Sequence, residues 1–109
     1  MLKDLEFLFR IEKNPKLYIG EEGTLEDIIY LHMGYVSCLS DLEMKRDWGE
    51  AFVDFVYNWY GDTDMLSISF WKRIQQHSSE NEDAIKQFYQ ILHCFCDQNI
   101  AHVSSELGR

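Results

Sequence analysis

His93, Cys94 and Cys96 stand within four residues of one another, and imidazole and thiolate are side chains that bind zinc. On a helix turning about 100° per residue, however, these three point in separate directions and none forms an i,i+4 pair. The C-x2-C spacing of a zinc site is absent. Cys96 is therefore expected in the core rather than on a metal, and Cys38 has no evident partner. His32 falls within the apolar stripe Leu25, Ile28, Ile29, Val36 and Leu39, where an imidazole can be a base, a ligand or a core residue. The reading adopted is a core histidine bonded to a backbone carbonyl or a buried tyrosine.

No nucleophile elbow, P-loop or dinucleotide fingerprint is present. The glycines of Asn14-Pro-Lys-Leu-Tyr-Ile-Gly-Glu-Glu-Gly23 suggest a phosphate cradle, but Glu21 and Glu22 would repel a phosphate. The carboxylates Glu21, Glu22, Glu26, Asp27, Asp62 and Asp64 fall in loops and caps. Paired acid–base catalysis needs carboxylates in opposed environments, and no such pair is apparent. The expectation is a protein with no catalytic residue, no cofactor and no metal.

The carboxylates do have a pattern. Residues 21–64 hold eleven of the nineteen acidic side chains and only two of the ten basic ones, Lys45 and Arg46. With a helix starting near Leu42, Glu43, Asp47, Glu50 and Asp54 form one ridge at i, i+4, i+7 and i+11, opposite Trp48, Phe52, Phe55 and Trp59. Like charges at i,i+4 cost an isolated helix a few tenths of a kcal/mol per pair, and no lysine relieves them. This ridge, with Glu21 and Glu22, is the predicted contact surface for a basic partner. A net charge of −9 disfavours nucleic acid, which needs clustered Lys and Arg. No apolar run approaches a membrane span, and the first residues are too charged for a signal sequence. Three cysteines, two of them nearly adjacent, suit reduced thiols in the cytoplasm.

Periodicity places these residues on helices. The 109 residues suit one all-α domain, a bundle of four main helices plus a shorter one. The first helix, about 2–13, carries Leu5, Phe7, Leu8, Phe9 and Ile11 and stops before Pro15. A connection over 14–23 follows, with Leu17-Tyr18-Ile19 extended, Leu17 and Ile19 plugging the core, and positive φ at Gly20 and Gly23. A capping box, Thr24-x-x-Asp27, opens a helix over about 24–40, in which Gly34 is expected to mark a close backbone approach. Helices over about 42–60 and 65–77 come next, with Gly61 terminating the former. A second capping box, Ser79-x-x-Glu82, starts a helix over about 80–98 bearing Ile85, Phe88, Tyr89, Leu92, Phe95 and Cys96.

Phe7, Leu8, Ile11, Pro15, Leu17, Tyr18, Ile19 and Gly20, followed by Leu25, Ile28, Gly34 and Tyr35, form a pattern that resembles small bacterial immunity-type proteins of polymorphic toxin systems. Trp48, Phe52, Phe55, Val56, Trp71, Ile74, Phe88, Leu92 and Phe95 extend the likeness over most of residues 5–97. The resemblance implies direct 1:1 binding of a cognate toxin and implies no particular contact residues. Joined to the acidic surface, it yields the expectation of a toxin inhibitor that occludes a basic protein such as a nuclease. The rivals are an acidic phage or mobile-element inhibitor of a nucleic-acid-binding protein and a small helical adaptor.

Overall fold

The structure, a computed structural model, describes residues 3–41, 48–61 and 69–99. They form six helices: α1 Lys3–Lys13, α2 Pro15–Ile19, α3 Leu25–Asp41, α4 Gly49–Trp59, α5 Phe70–Gln76 and α6 Asn81–Asn99. The predicted all-α class holds. The predicted beginnings of the third and fourth main helices, 42–47 and 65–68, lie outside the described residues.

One core joins these elements. Leu5, Leu8 and Ile11 of α1 meet Leu25, Ile28 and Ile29 of α3, and Phe88, Ile91, Leu92 and Phe95 of α6. Phe52 of α4 lies at the aromatic centre, with ring centroids of Trp48, Phe70, Phe88 and Phe95 at 5.7, 5.6, 5.9 and 5.4 Å. All four pairs are steeply inclined, the arrangement that matches a ring's positive edge to its neighbour's negative face. Cys96 is buried among them, as expected, and burial pushes its thiol up to about 11.

Polar ties close the bundle at three places. The Tyr89 hydroxyl of α6 donates to the Leu8 carbonyl at 2.7 Å, and burial raises its pKa. Gln87 accepts from the Tyr60 hydroxyl at 2.8 Å and donates to the His77 carbonyl at 3.0 Å, fixing the α5–α6 corner. The third tie is a carboxylate in the core. Asp4, 1 % exposed in the first turn of α1, accepts from Trp48 Nε1 at 2.8 Å and faces His32 Nε2 of α3 at 3.2 Å. The predicted partner of His32, a carbonyl or a tyrosine, is thus replaced by a carboxylate that reads in sequence as an ordinary helix-start acid.

The connection after α1 departs most from expectation. Residues 15–19 are a short helix instead of an extended segment. Pro15 at its first position needs no amide partner and has φ preset for helix, while Asn14 (φ −150°, ψ 68°) makes the break. A helical path rotates Leu17 away from Ile19, so Leu17 is 73 % exposed and only Ile19 packs against the core. Gly20 and Gly61 have the expected positive φ, but Gly23 does not. A Cβ at Gly23 would come within 2.5 Å of Ile19, so that glycine answers to space.

The capping box at α3 forms as predicted: Thr24 N–H donates to Asp27 at 2.8 Å and Asp27 N–H donates to Thr24 Oγ1 at 3.3 Å. At α6 the reciprocal carboxylate is Asp83, which accepts from Ser79 N–H at 3.0 Å, in place of Glu82. The helix begins at Asn81, one residue later than the box assumes, which moves the third helical position to Asp83.

Replacing Asp4 tests the buried tie. Asp4→Ala leaves His32 and the Trp48 indole without their shared acceptor and is expected to cost about 2–4 kcal/mol. Asp4→Asn, which keeps an acceptor oxygen, is expected to cost less. Urea midpoints at constant slope are the measurement, and equal losses would show that the acceptor is unimportant. The cysteines provide a second check, because only the thiolate attacks thiol reagents. At pH 8, exposed Cys38 is expected to label rapidly, and Cys96 only after denaturant unfolds the chain.

Candidate partner-binding surface

Geometry first separates the residues that suggested catalysis or metal binding. His93 turns to Glu12 of α1, with Nε2 2.9 Å from the carboxylate, and stacks on Phe9. Cys96 is buried and Cys94 half-buried. Among the described residues no three His, Cys, Asp or Glu side chains converge as metal ligands. His32 lines a 510 Å³ cavity between α3, α4 and α5 whose walls include Met33, Trp48, Phe52, Phe70 and Trp71. Its recorded polar partner is Asp4, and the pair fastens α1 to α3.

The predicted acidic contacts divide between two depressions. Glu21 lines a groove formed by the α1–α2 junction and α6, together with Lys13, Lys16, Glu82 and Lys86. Glu22 is exposed beside it. Glu50 borders the cavity between α3, α4 and α5, and Asp54 is exposed one turn further along α4, opposite buried Phe52 and Val56. Glu43 and Asp47 lie outside the described residues.

A different feature stands out on α2 and α3. Leu17, Tyr18, Tyr30, Leu31 and Met33 are all exposed, Tyr30 at 54 % and Met33 at 50 %. Tyr18, Ile19, Asp27, Tyr30 and Leu31 enclose a 450 Å³ depression where the two helices meet. Local packing explains why the rings stand there. Phe7 stacks on Tyr35 at 4.6 Å and presents its edge to Tyr18 at 6.0 Å, while Tyr30 leans on Trp71 at 6.2 Å. Glu26 accepts a hydrogen bond from the Tyr30 hydroxyl and raises its pKa, first through that bond and then through its charge. Tyrosines held this way are suited to recognition, since little side-chain freedom is left to lose on contact.

Among the described residues the expected close approach at Gly34 does not occur: a Cβ there would meet nothing within 4 Å. It lies on the outer side of α3, one helical turn beyond Tyr30. The sequence does carry a signal for this face, in that residues 28–40 contain no Asp, Glu, Lys or Arg. A helix buried on one side normally has a charged stripe on the other. Thirteen uncharged residues in a helix with a solvent side set this face apart from the acidic segments on either side of it. Glu21, Glu22, Glu26 and Asp27 stand at its α2 end.

No family model, no curated protein and no solved structure matches this chain. Among the described residues no helix is long and apolar enough to cross a membrane.

If the exposed apolar residues serve contact rather than folding, their loss leaves stability intact. Leu17→Ser is expected to move the unfolding free energy by no more than about 0.5 kcal/mol and to lower the binding of a hydrophobic dye. Thermal melts with dye titration check both, and cooperative destabilisation by the variant would return Leu17 to the core.

Proposed function

We propose that this protein is an immunity-type inhibitor that binds a basic, nuclease-like toxin in a 1:1 cytoplasmic complex and blocks it by covering its substrate-binding surface or an adjacent site. The carrying observation is the apolar face of α2 and α3, Leu17, Tyr18, Tyr30, Leu31 and Met33, with Glu21, Glu22, Glu26 and Asp27 at one end. Aromatic and aliphatic anchors supply contact area, and peripheral charges of one sign accelerate encounter with the opposite sign. The likeness of Phe7-Leu8, Pro15 and Leu17–Gly20 to immunity-type proteins supports the same reading. So does the confinement of the negative charge to residues 21–64.

The uncharged length of α3 also favours a second reading, a helical adaptor that grips its partner through apolar contact alone. Salt separates them, because screening weakens long-range charge attraction and leaves apolar contact nearly untouched.

Co-expression with the cognate toxin domain is expected to restore growth, and the two chains are expected to co-purify. Glu21→Lys with Glu22→Lys is expected to slow association roughly tenfold at low salt. Replacing Glu43, Asp47, Glu50 and Asp54 by Lys examines the acidic ridge expected from the sequence separately. Unaltered kinetics in both sets, with no salt dependence, would leave the adaptor; absence of rescue and of binding would end the immunity reading.

A further inference from the structure

We infer that the outer face of α3 receives a helix of the basic partner, whose backbone crosses over Gly34; this rests on the partner-binding reading above. Glycine is disfavoured inside a helix because it gains no packing and loses much backbone freedom. Other glycines of this fold have internal reasons: Gly20 and Gly61 adopt positive φ, and Gly23 has Ile19 against it. Gly34 has neither, being mid-helix with open space where a side chain would begin.

Its surroundings describe the occupant. Tyr30, Leu31 and Met33 are exposed within one turn of Gly34, and Leu17 and Tyr18 of α2 continue the apolar surface past Asp27. Tyr30 and Leu31 precede Gly34 by four and three residues and so share its side of α3, with Met33 on the flank; a shallow point beside two such anchors is met by another amphipathic helix. Two helices approach to about 8 Å when the residues at their crossing are small. A strand would seek unpaired backbone groups, and a mid-helix face offers none. A second copy of this chain is disfavoured by charge, since each copy carries −9 and like net charges repel. A partner helix with Lys or Arg toward that end meets complementary charge.

The probe is the basic toxin domain from which this chain rescues growth, titrated calorimetrically against the full chain and its variants. Gly34→Ala is expected to raise the melting temperature by roughly 3–6 °C, because its methyl enters open space, and yet to weaken binding roughly tenfold. Gly34→Gln, with a longer side chain and good helix propensity, is expected to fold and to weaken binding more than about a hundredfold. Wild-type affinity in both Gly34 variants, with loss on Glu21→Lys and Glu22→Lys, would overturn the helix crossing and leave the inhibitor reading standing. A domain that fails to bind the wild-type chain would overturn both.

Discussion

A single carboxylate in the core constrains the arrangement of everything around it. Asp4 is removed from water at the start of α1, where the helix dipole favours negative charge but cannot replace hydration alone. Its Oδ2 therefore needs protein partners, and it takes them from α3 and from the residue before α4. Sliding or rotating α3 by a residue would withdraw His32 from the carboxylate. Apolar packing tolerates such slips more readily, since hydrophobic contact has no direction. The Asp4–His32–Trp48 junction consequently sets which side of α3 faces inward, and the ring stack from Trp48 through Phe52 to Phe95 builds on that setting.

Fixing the inner side of α3 also fixes its outer side. A helix of 17 residues with His32, Ile28 and Ile29 inward must present Tyr30 and Gly34 to solvent. The small core is already filled by α1, α4 and α6, so no internal element remains among the described ones to cover that face. Leu17 adds to it because Pro15 makes α2 helical and turns that side chain outward. The exposed apolar surface is thus a consequence of how the core is satisfied. A net charge of −9, through mutual repulsion, opposes its use for self-association.

Departures from sequence-based expectation share a cause. Leu17-Tyr18-Ile19 reads as extended because two apolar residues flank a tyrosine, but a proline at a helix's first position outweighs a three-residue alternation. Gly23 and Gly34 read as conformational or packing glycines from type alone, whereas one answers to Ile19 and the other to nothing among the described residues. Asp83, not Glu82, accepts from the Ser79 N–H since the first helical residue moved by one. The extended reading of residues 17–19 and the close approach expected at Gly34 are overturned, while at Gly23 and Ser79 a residue within about one turn decided the detail.

The sequence by itself determined the all-α class, most of the apolar core positions of α1, α3, α4, α5 and α6, and the Thr24–Asp27 cap, since 3.6-residue periodicity and capping are local in chain distance. It also determined where negative charge is concentrated, in residues 21–64. Only the tertiary structure decided that Asp4 is buried, that it holds His32 and Trp48 from 28 and 44 residues away, and that Glu21 and Glu50 open onto separate depressions. The same holds for the vacant face at Tyr30 and Gly34. Such facts depend on which helix packs against which, and a contact between distant residues leaves no spacing in the chain from which it can be read.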